Sequence, residues 1–221
     1  FDVYMKGGST WFKQNYAALA GKENQIAYFS FEFGLHESLP VYAGGLGILA
    51  GDHLKEASDM GIPLVGVGFI YRQGYFVQHI TEDGWQETRN YYLNLDEMPV
   101  VPILDAAGKP LMISVELPGR SVFARLWEVR VGRVTLLLMD SNVEQNSEYD
   151  RQLTERLYSN DLEVRISQEV LLGMGGVRAL RLLGIEPTVW HMNEGHSAFL
   201  ALERLLEYVR KGLTLDESIE R

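Results

Sequence analysis

Cysteine is absent from the 221 residues. No disulfide can brace the fold, and no thiolate can act as nucleophile or soft metal ligand. The absence suits a reducing, cytoplasmic compartment. No apolar run approaches the length of a bilayer span and no signal-type N-terminus is visible, so no membrane partner is expected. Positive charge is scarce: 20 Lys plus Arg stand against 30 Asp plus Glu, a formal net charge of −10. Without a basic run to neutralise phosphates, a nucleic-acid partner is not expected, and no metal site is predicted. The length suits one large domain or two small ones. The chain opens on Phe1, and Thr214 and Glu217 announce a helix close to its end. A piece of a longer protein is therefore expected.

Glycine, by contrast, is plentiful at 22 residues. The stretch Ala43-Gly44-Gly45-Leu46-Gly47 runs into an apolar-periodic segment in which Leu46, Leu49, Ala50, Leu54 and Ala57 share one predicted helix face. Asp52, Lys55, Glu56 and Asp59 take the other face, and Gly61 and Pro63 stop the helix. A glycine loop feeding a helix start offers free N–H groups and a positive dipole end, which suits a phosphate or another oxyanion. The same glycines could serve only as a tight turn. Gly45 to Ala50 also fits the dinucleotide fingerprint, but residues 31–41 separate it from its strand and no carboxylate follows the next one.

Taken in order, residues 1–22 read as a helical lead-in, with Trp11 as a packing residue. Residues 26–30 and 64–70 read as buried strands around the glycine-loop helix, a βαβ unit with parallel pairing. Residues 71–80 interleave aromatic and polar side chains, as a polar cleft or a β-edge would; Asp83-Gly84-Trp85-Gln86 reads as a turn followed by a tryptophan suited to a sugar ring or to a plain edge. From 100 to 140 the texture is that of an antiparallel β insertion, with Arg125, Glu128 and Arg130 on a solvated face. Residues 142–156 read as a surface excursion. Helical character is predicted to return over residues 157–161, and a long helix then runs up to Leu183, with Ile166, Val170, Met174 and Val177 on one face. Gly173, Gly175 and Gly176 inside it each cost nearly ~1 kcal/mol relative to alanine, which points to close approach of another backbone or a ligand. Residues 188–192 form a third strand, and an amphipathic helix follows from 197 to 211.

Ligands of open α/β sheets bind beyond the C-terminal ends of the strands. Asn193-Glu194-Gly195-His196 directly follows the third predicted strand. An amide, a carboxylate and an imidazole there can bind hydroxyls or tune a proton, or Asn193 and Glu194 can simply cap the next helix.

Tyr28-Phe29-Ser30-Phe31-Glu32-Phe33-Gly34, the glycine loop, Tyr71-Arg72-Gln73-Gly74-Tyr75-Phe76, Gln168-Glu169 and Asn193-Glu194-Gly195-His196 together resemble the α-glucan (glycogen/maltodextrin) phosphorylases, closest to the bacterial and archaeal branch. The resemblance runs from about Trp11 to the end. It implies an α/β fold: a Rossmann-like N-terminal lobe of a two-lobed glycosyltransferase, glycogen phosphorylase-like, with an antiparallel β insertion. It implies transfer of a glucosyl unit from an α-1,4-glucan to inorganic phosphate, pyridoxal phosphate as cofactor, and compatibility with a homo-oligomer. By resemblance, Gly44 and Gly45 bind the cofactor, and Glu32, Leu46, Tyr158, Asp161, Asn193, Glu194 and His196 bind substrate. Ile48 stands where animal enzymes carry arginine, and Ser159 replaces a proline of the loop over the active site. The family's cofactor lysine belongs to a C-terminal lobe outside this chain, so none of the covalent machinery is expected here and the 221 residues alone are expected to be inactive. Two alternatives remain open: a nucleotide-sugar glucan synthase lobe, or a non-catalytic glucan-binding module.

Overall fold

A computed structural model describes residues 1–6, 8–73, 77–89 and 92–221. Gly74, Tyr75 and Phe76 of the 71–76 motif lie outside the described residues. The strands are β1 (Ile26–Phe29), β2 (Leu64–Phe69), β3 (Val77–Ile80), β4 (Gln86–Arg89), β5 (Val101–Pro102), β6 (Met112–Leu117), β7 (Arg120–Val131), β8 (Val134–Asp140) and β9 (Val189–Met192). The α-helices are α1 (Asp2–Lys6), α2 (Trp11–Asn15), α3 (Gly45–Met60), α4 (Glu148–Arg151), α5 (Leu162–Val170), α6 (Gly176–Leu182), α7 (Phe199–Arg210) and α8 (Leu215–Ile219).

The architecture is α/β with a seven-stranded mixed sheet, ordered β5-β7-β8-β2-β1-β9, in which β6 also pairs with β7, and a separate antiparallel pair of β3 and β4. The predicted parallel pairing holds, with Ile26 opposite Leu64 and Phe29 opposite Val67. β9 joins β1 in parallel on its other side, and β8 joins β2 in parallel. Numbered along the chain, the parallel strands β1, β2, β8 and β9 therefore lie in the order third, second, first, fourth. That order reverses between β1 and β9, which creates a crevice at their C-terminal ends. β2 is buried along its whole length, as a central parallel strand must be.

The antiparallel strands of the 100–140 insertion, β5, β6 and β7, are an edge of the same sheet, because β8 pairs antiparallel with β7 and parallel with β2. Arg125 is not on a solvated face: with Arg72 it pairs with the Asp140 carboxylate, at 2.9 and 3.0 Å, and Asp140 is fully buried. Two guanidinium groups offset the cost of removing that charge from water. The 142–156 segment is likewise no mere surface excursion. Buried Asn146 accepts from the Phe123 N–H at 2.8 Å and donates to the Phe123 and Ser141 carbonyls, both at 2.7 Å, stitching the segment to β7.

On α3 the buried face is Gly47, Ala50, Gly51, Leu54, Ala57 and Ser58, while Leu49 is 61% exposed. The predicted stripe was shifted because the glycines themselves are the contact surface. The helical lead-in consists of two five-residue helices and short 3-10 turns, with no buried residue in α1 or α2. Trp11, read as a packing residue, remains 47% exposed against Tyr16. The long helix before β9 is α5 and α6 joined by a π turn, Leu171–Gly175. Its buried face runs through Gln168, Leu171, Leu172 and Val177, leaving Ile166 exposed. Close backbone approach explains Gly173, where a Cβ would lie 2.5 Å from the Leu200 nitrogen of α7. Among the described residues no helix is long and apolar enough to cross a membrane, and no group of metal-binding side chains forms.

Candidate functional site

β1 ends at Phe29, and the chain turns through Ser30, Phe31 and Glu32 over the crevice. β9 ends beside it and delivers Asn193 to His196. The two ends are tied together. The Asn193 N–H donates to the Phe29 carbonyl at 3.0 Å, and its side-chain Nδ2 donates to Ser30 Oγ at 3.1 Å. His196 Nε2 accepts the Phe31 N–H at 3.0 Å, and its ring stacks on Phe31 with centroids 4.4 Å apart. Tyr71, from the motif following β2, donates to the Phe31 carbonyl at 2.8 Å.

His196 is 7% exposed, and burial pushes its pKa down to about 4. The Glu32 charge acts against that shift and Arg165 reinforces it. An imidazole that accepts a backbone N–H at Nε2 carries its proton at Nδ1. At neutral pH His196 is thus an uncharged group that supports Phe31, with its Nδ1–H as the one donor it can offer.

Glu32 is 2% exposed, and its carboxylate collects donors from two other loops. Oε2 accepts the N–H groups of Ala43 at 2.7 Å and Gly44 at 3.2 Å. Oε1 accepts the Tyr158 hydroxyl at 2.6 Å. Burial, then the bond and the charge of Glu32, raise the Tyr158 pKa, so the phenol stays protonated. The 157–161 stretch is not helical, since Tyr158 has φ 56°. Among the described residues the non-glycine positions with positive φ are Tyr158 and Glu194, at φ 62°. Both border the crevice. Strained backbone costs about 1–3 kcal/mol per residue and persists where the surroundings impose it, commonly at functional sites.

The predicted site residues do not all converge. Glu32, Tyr158, Asn193 and His196 do. Exposed Glu194 is near enough for its charge to act on Tyr158. Asp161 stands apart: its Oδ1 caps α5, accepting the N–H of Glu163 at 2.8 Å and of Val164 at 3.4 Å. Asn193 is buried and bonded to Ser30, so it braces the crevice, and neither Asn193 nor Glu194 caps the next helix through its side chain. Gly44 gives its N–H to Glu32, so its amide is not free for a phosphate. Gly45 and half-buried Leu46 follow at the start of α3, which has no side-chain cap. A Cβ at Gly44 or Gly45 would meet nothing within 4 Å, so the space before the loop is open.

One participant escaped sequence reasoning. Arg165 supplies positive potential felt at both Tyr158 and His196. It sits one helical turn past the Asp161 cap, which was its only available signal. Lys55, the cation nearest the loop in sequence, instead faces Asp52 on the exposed side of α3. Next to Tyr158 lies a cavity of about 520 Å³ lined by Arg156, Asp161 and Gln168 among others. Gln168 is almost wholly buried, and among the described residues its Oε1 lacks a hydrogen-bond partner.

Comparison with known proteins adds to this geometry. A family model described as a protein of unknown function (DUF3417) matches residues 1–39. The chain is 48% identical over 219 residues to the maltodextrin phosphorylase of Thermococcus litoralis, covering 99% of this chain and 26% of that protein. It is 51% identical over 201 residues to a glycogen phosphorylase of Mycobacterium tuberculosis, covering 88% of this chain and 23% of that protein. A glycogen phosphorylase of Aquifex aeolicus is 46% identical over 195 residues, with 88% of this chain and 28% of that protein covered. The chain spans about a quarter of the length of these relatives and is homologous to them throughout that quarter.

Proposed function

We propose that the chain is a Rossmann-like lobe of an α-glucan phosphorylase, which in the whole protein transfers a glucosyl unit from an α-1,4-glucan to inorganic phosphate and yields glucose 1-phosphate. One observation carries the reading. The Glu-Phe-Gly stretch, the glycine loop and Asn193-Glu194-Gly195-His196 carry the resemblance, and they meet at the crevice where the strand order reverses. The relatives' names supply the reaction.

Within that reading each residue has a physical task. Gly45 and Leu46 present amides at the positive end of a 16-residue helix, a position that fits an oxyanion. Pyridoxal phosphate, when bound, would supply a phosphate group to the reaction, and the Gly45 and Leu46 amides would suit that group or the substrate phosphate. Arg165, paired with Glu169 at 3.4 Å, adds a positive charge felt at Tyr158 and His196 on the rim of the crevice. The His196 Nδ1–H and the Glu194 carboxylate are available to glucosyl hydroxyls, while Asn193, Ser30 and Phe31 keep them in place. Asp161 holds the start of α5 and so the loop carrying Tyr158.

The full-length protein supplied with maltodextrin and phosphate is expected to release glucose 1-phosphate in proportion to phosphate. Absence of release at saturating levels of both would refute the reading, and glucan extension from a sugar nucleotide would favour a synthase. The 221-residue stretch by itself is expected to release none, because Lys55 is turned to Asp52 and Arg165 is the one cation whose potential reaches both Tyr158 and His196 among the described residues.

A further inference from the structure

We propose that Glu32 is a positioning residue that fastens the glycine loop to the Tyr158 loop, so that Tyr158 governs anion binding at Gly45 and Leu46 without touching the anion. The proposal rests on the phosphorylase reading for the identity of that anion, and on geometry for the rest.

A carboxylate that is 2% exposed needs donors in place of water, and Glu32 has three: two amides of the glycine loop on Oε2 and the Tyr158 hydroxyl on Oε1. Both oxygens are engaged, which leaves little capacity for a sugar hydroxyl. The first turn of α3 closes around the same group: a Cβ on Gly47 would lie 2.7 Å from Glu32 Oε2 and 2.6 Å from the Tyr42 Cβ. Glu32 thereby divides the loop's amides, since Ala43 and Gly44 are consumed and the next two, Gly45 and Leu46, begin the uncapped helix. Their direction follows from how Gly44 is held. The hydroxyl of Tyr158 bonds to Glu32, and its backbone is strained at φ 56°. Losing that bond frees a loop that is held against its own preference, and it loosens the carboxylate that orients the glycine loop.

The test uses the full-length protein with Glu32→Gln, Glu32→Ala, Tyr158→Phe and Gly47→Ala, each first checked for a cooperative melt. Hydrogen exchange at the Ala43 and Gly44 amides reads the fastening without reference to activity. Glu32→Ala and Gly47→Ala are expected to speed it by about ten-fold or more, and Tyr158→Phe by a few-fold. Glu32→Gln should stay near the parent rate, because its carbonyl oxygen still accepts both amides while its amide group can donate to the Tyr158 oxygen. In kinetics, Tyr158→Phe should raise the KM for phosphate by roughly three- to ten-fold with a smaller change for glucan. The same change made on top of Glu32→Ala should add nothing to the phosphate KM. Unaltered exchange at Ala43 with a raised glucan KM in Tyr158→Phe would overturn the proposal and make Tyr158 a direct sugar contact. If Glu32→Ala does not fold, the Tyr158→Phe and Gly47→Ala exchange rates decide. Accelerated exchange in a protein that releases no glucose 1-phosphate would leave the fastening intact and sink only the phosphorylase reading.

Discussion

Replacing Glu194 by alanine in the full-length protein is expected to lower turnover by roughly ten- to a hundred-fold with almost no change in melting temperature. A hydrogen bond to a charged group is worth about 1.5–3 kcal/mol, and a bond made only in the transition state passes that loss into kcat. Exposure of Glu194 removes any packing role. Its backbone, at φ 62° and ψ −179°, lies where glycine is the comfortable residue. Glu194→Gly should therefore gain about 1 kcal/mol of stability and still lose the same turnover. Full activity in a stabilised glycine variant would remove Glu194 from the site.

His196→Ala should differ by losing both. It orphans the buried Phe31 N–H, at about 1–3 kcal/mol, and forfeits the ring stack. The parent protein should also carry a pH signature. With a folded pKa of about 4 against an ordinary 6.5, the unfolded chain binds the proton first as pH falls. The contribution is present above pH 6.5 and is lost between there and pH 4, on the order of 3 kcal/mol in all. His53, lowered by burial and by His191, adds in the same direction. Denaturant melts across that range should show a shallower slope in His196→Ala, and an unchanged slope would count against the buried neutral imidazole.

The second large effect is expected from Gly51→Ala, one methyl group in the middle of α3. The added carbon would sit 2.1 Å from the Gly34 carbonyl oxygen and 2.5 Å from its carbon. Both are backbone atoms, and Gly34 is itself tied to the Gly47 carbonyl at 2.6 Å, so no side chain can swing aside. Overpacking commonly costs about 1–3 kcal/mol, and a backbone obstacle puts this site at the top of that range or above it. Because Gly34 lies on the same loop as Glu32, turnover should fall with stability. Gly45→Ala is the control: its methyl group meets nothing within 4 Å, so the melt should hardly move while phosphate binding weakens. A Gly51→Ala protein that melts with its parent would mean that α3 does not pack against residue 34 as described.

Much of this was legible in the linear chain because it depends on neighbours. Short apolar runs at 26–30, 64–70 and 188–192 read as strands and all form them; the first two pair in parallel and are buried, while the third joins β1 in parallel as a largely exposed edge strand. A glycine cluster before an amphipathic segment specified an open helix start, and the capping box at Thr214 and Glu217 formed as read. The glycines within the long helix announced close approach, which α7 makes at Gly173. What stayed hidden depends on partners far along the chain. Glu32 and Tyr158 are 126 residues apart, and Phe31 and His196 are 165. No local pattern states that one carboxylate will consume the Ala43 and Gly44 amides, or that a histidine beside a strand end will be a buried acceptor. Burial of Asp140 between Arg72 and Arg125, and of Asn146 under β7, likewise follows from where the sheet edge folds back. The sequence by itself determined the parallel frame, the helix start and the kinship, because periodicity, glycine and motif spacing are local. Only the tertiary structure decided which amides remain free, which carboxylate is fastened and which backbone is strained, because desolvation and hydrogen-bond competition are settled among groups that the chain brings together last.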